Sequence, residues 1–123
     1  MRRRDALLEG LELFRDLHPA ITLGNMIAFL YVCENEGLTI LDLAQVSGFY
    51  LATASRTIRV FSEPDAEGAM PPALGLVRLT PTEHGKSIRL TEAGRRFRDQ
   101  LEQVISAAAP ITGEAIAGLS AGA

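Results

Sequence analysis

Four residues between positions 51 and 61 carry recognition groups at helical spacing: Thr53, Ser55, Arg56 and Arg59. Their hydroxyl and guanidinium groups can donate hydrogen bonds to phosphate oxygens. An arginine fork also matches the O6 and N7 acceptors on the major-groove edge of guanine. Within the same stretch Ala54, Ile58 and Phe61 repeat at i, i+4 and i+7. That period predicts a helix with these three buried and the four polar residues outside. Two more basic residues, Lys86 and Arg89, fall where apolar residues alternate, as on a short hairpin. Each of the six could be no more than a solvated surface group. Their clustering on two neighbouring elements favours contact with the backbone and base edges of duplex DNA.

The charge distribution supports that chemistry although the net charge of −3 does not. Residues 56–98 hold eight basic and five acidic side chains, whereas the flanking segments 1–55 and 99–123 are each at −3. A locally basic middle third is what a phosphate-facing surface requires. Arg2, Arg3 and Arg4 form a basic arm at the N-terminus. Asp5, Glu9 and Glu12 follow at once and no long apolar run comes after, so a signal peptide is not expected. No run is long enough to cross a bilayer, and the expected location is cytoplasmic.

Other chemistries find little support. There is no glycine-rich phosphate loop, no Gly-x-Ser-x-Gly and no cysteine–histidine pair on one face, so no catalytic residue and no cofactor are expected. His18 and His84 have no partner at metal-ligand spacing, so no metal is expected. His84 sits at the expected hairpin tip, within reach of DNA. His18 precedes Pro19 at a helix end, where packing or capping is the simpler role. Cys33 is the single cysteine, which rules out an internal disulfide in the chain. It shares a stripe with Met26 and Leu30, and no basic neighbour in sequence would lower its pKa, so it reads as a small core hydrophobe.

The elements that must position these residues follow from periodicity and breakers. Residues 5–17 form a helix on Leu7, Leu11 and Phe14, widened by Leu8 and Leu13, and stopped before Pro19. Residues 22–35 form a second, with Met26, Leu30 and Cys33 inward and Ile27, Phe29 and Tyr31 thickening the stripe; Gly37 stops it. Thr39 caps a third, with Asp42 three residues on as a capping box and Ile40, Leu43, Ala44 and Val46 buried. Ser47-Gly48 ends it, and the fourth helix covers 51–61. Residues 62–75, rich in proline and glycine, make a long loop with a mobile tip. Strands at 76–80 and 87–90 follow, joined by a turn over Pro81–Lys86. A last helix starts at Thr91, buries Phe97, Leu101, Val104 and Ile105, and ends at Pro110. Residues 111–123 are an Ala/Gly-rich tail, a weak helix or disordered. The expected fold is mainly α with a small β-hairpin wing, a winged helix-turn-helix, in one domain with its core in 21–90.

Three sets of residues carry a resemblance to a known family. Asp42-Leu43-Ala44, Ser47-Gly48-Phe49 and Thr53-Ala54-Ser55-Arg56 resemble the helix-turn-helix of bacterial regulators. Gly75-Leu76-Val77-Arg78 is similar to their entry into the wing, and Leu90-Thr91-Glu92-Ala93-Gly94 to the exit. In order and spacing they resemble the MarR family (multiple-antibiotic-resistance regulators) over residues 21–105. The resemblance implies a homodimer in which the terminal helices, 5–17 and 91–109, interlock. It also implies a regulator of transcription, a repressor, and allows a small-molecule effector at the dimer junction. Two-fold symmetry then implies a pseudo-palindromic site with half-sites roughly 10 bp apart. The chain departs from the family in three places. The wing reads Thr82-Glu83-His84-Gly85-Lys86 without the usual Asp-x-Arg pair, loop 62–75 is long, and Tyr50 stands where a small polar cap is usual. The altered wing and acidic balance motivate an alternative, a winged-helix module that binds another protein and no specific DNA sequence.

Overall fold

A computed structural model describes residues 5–107. The Arg2–Arg4 arm, the helix end at Pro110 and the 111–123 tail lie outside the described residues. The chain is mainly helical, with a two-stranded antiparallel hairpin after four helices, an arrangement compatible with a winged helix. The helices are α1 (Ala6–Leu17), α2 (Leu23–Glu34), α3 (Ile40–Ser47), α4 (Leu51–Arg59) and α5 (Glu92–Ala107). The strands are β1 (Val77–Thr82) and β2 (Gly85–Leu90). None of the described helices is long and apolar enough to cross a membrane.

Local chemistry explains where the helices begin. The Asp5 carboxylate accepts from the Leu8 amide and caps α1. Thr22 and Asn25 form a reciprocal capping box at α2, and Thr39 and Asp42 form the expected one at α3. Gly48 ends α3 at φ +77, a left-handed conformation that costs a residue with a Cβ. Thr91 caps α5: its hydroxyl accepts from the Gly94 amide at 3.1 Å and donates to the Gly75 carbonyl at 2.7 Å. A Cβ at Gly94 would run into the Leu76 carbonyl oxygen, so α5 approaches the chain just before β1 as closely as backbone allows. The Thr91-x-x-Gly94 spacing therefore has a mechanical reason.

The core is built around Phe14, Phe29, Phe61 and Phe97, whose rings meet mostly edge to face at centroid distances from 5.1 to 6.1 Å. Ala54, Ile58 and Phe61 are fully buried, as their period predicts. Other faces differ from the sequence expectation. In α1 only Phe14 is buried, and Leu7, Leu8 and Leu11 are exposed. In α2 the buried residues are Asn25, Ala28, Phe29 and Val32, not the Met26–Leu30–Cys33 stripe. That helix is apolar on all sides, so periodicity cannot choose its inner face. Leu43 and Ala44 are the buried residues of α3, while Val46 is exposed. In α5 Phe97 and Leu101 are buried but Ile105 is exposed.

The hairpin is longer than expected and its turn tighter. The pairing runs from Val77↔Leu90 to Thr82↔Gly85, so Pro81, Thr82, Gly85 and Lys86 belong to strands and the connection is Glu83-His84. The Thr82 hydroxyl bonds the Gly85 carbonyl across it. A third segment extends the sheet: the Gly37 amide donates to Ile88 at 2.8 Å, the Ile88 amide to Leu38 at 2.6 Å, and Thr39 bridges Ser87. Helix α4 stops at Arg59, two residues before its expected end, and the chain turns through Val60 and Phe61.

Candidate nucleic-acid interface

The segment before α4 is fixed by one serine. The Ser47 hydroxyl donates to the Leu43 carbonyl at 2.6 Å and accepts from the Phe49 amide at 3.2 Å. Phe49 packs against the core near Gly24 of α2. Asn25, buried in α2, donates from Nδ2 to the Thr57 carbonyl at 3.1 Å. Helix α4 is thus held by its apolar stripe, by the turn and by this bond to α2.

The outward face of α4 is less polar than expected at its start. Tyr50 precedes the helix with 86% of its surface exposed and makes no side-chain cap. Leu51 is 54% exposed, and Ala52 is exposed as well. Thr53 is half-buried, on the line of Thr57, whose methyl lies near Gly24. Arg56 is exposed and has no hydrogen-bond or ionic partner among the described residues.

Ser55 and Arg59 are brought together. Arg59 Nε donates to the Ser55 hydroxyl at 2.9 Å, and its Nη1 reaches the Glu67 carbonyl at 3.5 Å. The guanidinium lies against Gly68, where a Cβ would collide with it. Loop 62–75 is therefore folded back on the end of α4. Its backbone is tied there by Met70 N to Arg59 O at 3.2 Å, Leu74 N to Val60 O at 3.0 Å and Gly75 N to Ser62 O at 2.9 Å. The Phe61 carbonyl accepts from both Leu76 and Val77 amides, at 2.7 and 2.9 Å.

The two hairpin residues expected to meet DNA, Lys86 and Arg89, do not share a face. Lys86 pairs with Pro81 and lies on the side of Val77, Leu79, Ile88 and Leu90. Arg89 pairs with Arg78 on the opposite side, its guanidinium over Gly37. Arg78 is bound to Glu63 by two hydrogen bonds, of 2.9 and 3.2 Å. That hydrogen bond holds the Glu63 carboxyl below its ordinary pKa and raises that of Arg78. The ion pair takes one arginine out of the basic set and anchors the acidic loop to the hairpin.

Sequence reasoning overlooked two positions on α4, Leu51 and Ala52, and one glutamate. Ala52 was readable, since residues 52, 55, 56 and 59 lie away from 54, 58 and 61 on a helical period; Leu51 was not, since it falls three and seven residues before Ala54 and Ile58 and is exposed only because it stands at the helix start. Glu36 gave no signal. Its Oε1 accepts from the Leu90 amide at 3.0 Å and from Arg95 at 2.8 Å, tying the start of α5 to the α2–α3 turn. Cys33 is half-buried, and burial pushes its thiol up to about 12, against a smaller opposing effect of Arg98.

Away from α4, an apolar groove of about 320 Å³ runs between α1, α2 and α5. Leu7, Leu11, Leu23, Leu30 and Ile105 line it and are exposed. Comparison of the chain with protein-family models, curated proteins and solved structures gives no match.

Proposed function

We propose that this chain is a transcriptional regulator, acting as a repressor, that binds pseudo-palindromic duplex DNA as a homodimer. Helix α4 is its recognition helix and the β1–β2 hairpin its wing, in a winged helix-turn-helix of the MarR type. The observation that carries the proposal is α4 itself. It is a short helix after a tight glycine turn, immobilised by its buried stripe, with Arg56 exposed and unpaired among the described residues. Two further features support it. The first amides of a helix have no partner within it, and Tyr50 offers them none, so they suit a phosphate oxygen. The groove lined by exposed Leu7 and Leu11 of α1, Leu23 and Leu30 of α2 and Ile105 of α5 suits burial against a second copy.

The test is a binding selection on random duplex DNA, followed by titration of the enriched site against salt. Enrichment of an inverted repeat, with affinity falling about a thousandfold or more between 50 and 200 mM salt, is the expected result for a dimer holding six or more phosphates. A selection that enriches nothing at low salt overturns the proposal. It would favour the second reading, a protein-binding module. For that reading the observation is the apolar set Leu41, Val46, Tyr50 and Leu51, all exposed on α3 and at the start of α4.

A further inference from the structure

Resting on the reading of α4 as the recognition helix, we infer that its first turn reads thymine. Leu51 and Ala52 would meet C5-methyl groups in the major groove, beside a guanine read by Arg56. Elimination on the helix surface leads there. Thr53 is half-buried on the side of α4 that faces α2. Ser55 already accepts from Arg59, and Arg59 is held by the Glu67 carbonyl and the Gly68 backbone. Tyr50, Leu51, Ala52 and Arg56 are what remains exposed and uncommitted near the N-terminal half, the part of a recognition helix that reaches base edges.

Two of these four are wholly apolar, and that fixes the ligand chemistry. In the major groove every base edge offers hydrogen-bonding groups, and thymine alone adds a methyl. Leu51, more than half exposed, releases ordered water when it covers such a methyl, and a polar edge there would lose its own water without gaining a partner. Leu51 and Arg56 lie five residues apart, about 7.5 Å along the axis. That is near two base steps of ~3.4 Å. The half-site should therefore carry a thymine within about two base pairs of a guanine, and Leu51 should sense it.

The test begins from the duplex enriched by wild-type protein. Each thymine is replaced in turn by deoxyuridine, which removes only the methyl group, and binding is measured for wild type, Leu51→Ala and Arg56→Ala. Wild type should bind about fourfold more weakly for each half-site that loses its methyl, the worth of one buried carbon. Leu51→Ala should no longer distinguish thymine from uracil at that position. Arg56→Ala should bind more weakly but keep the distinction. Equal binding of wild type to every uracil duplex overturns the inference and leaves the DNA-binding proposal standing. Discrimination that survives undiminished at every thymine in Leu51→Ala overturns the assignment of the methyl contact to Leu51. Failure to enrich any duplex overturns both. The uracil series on wild type needs no variant to fold, and Leu51 lies outside the core.

Discussion

Gly94 is the residue least able to change. An added methyl would have to displace the Leu76 carbonyl or lift α5 from β1, and neither backbone segment is free to yield. Gly94→Ala should lower stability by about 3 kcal/mol or more, read as a fall in the urea midpoint. That is a large share of the ~5–15 kcal/mol typical of a domain. Cys33 makes a different prediction. Its folded pKa of about 12 stands above the unfolded 9.0, so the folded state keeps the proton longer. Its contribution to stability is present in full below pH 9 and is lost as pH rises from there toward 12. At pH 8 the thiol should react with iodoacetamide much more slowly in native protein than in urea, and equal rates would contradict the burial. The Thr39–Asp42 capping box was legible at this scale because its partners lie three residues apart. Glu36 was not, because its partners Leu90 and Arg95 lie more than fifty residues away in sequence.

Among the elements, the loop from 62 to 75 departs furthest from its sequence expectation. Its composition predicts a free tip, but Arg59 clasps it from below and Glu63 fastens it to Arg78. Arg59→Ala should open the loop to limited proteolysis near residues 65–69 while barely moving the urea midpoint. Unchanged cleavage would show that the clasp contributes nothing. The hairpin yields a prediction that rests on the proposed function. Strand alternation places Lys86 and Arg89 on opposite faces, and Arg89 is laid over Gly37. Lys86→Ala should reduce the salt slope of DNA binding by about one unit per subunit, and Arg89→Ala should leave it unchanged. Equal effects would mean that the wing twists enough to use both. The helices and hairpin were legible because breakers bound them: Pro19, Gly37 and Gly48. The inner face of α2 was not, since apolar residues surround it and its orientation shows only in tertiary contacts, the bond from Asn25 to Thr57 and the packing of Phe29 on Phe14, Phe61 and Phe97.

For the molecule as a whole, the open question of the sequence was which apolar surface the fold leaves uncovered. The answer gathers Leu7, Leu11, Leu23, Leu30 and Ile105 into one groove, remote in sequence from α4. Leu7→Glu should shift the protein to monomer in sedimentation and weaken operator binding at least tenfold, while the protomer keeps its fold because Leu7 is 60% exposed. A dimer that survives this change would place the interface elsewhere. The overall order of elements was legible from periodicity and breakers; the groove was not, because periodicity marks amphipathic faces without saying which of them meet inside one chain. The neck beneath loop 62–75 has a consequence of its own. Phe61 and Ser62 clamp Leu76 and Val77 at its base, so the spacing between α4 and the hairpin is set below the tip. Closing a longer loop adds little entropy. The turn around Asp65 and Ala66 is thus a natural splice point, where a tag or a short foreign peptide can be grafted while the two halves beneath keep their geometry.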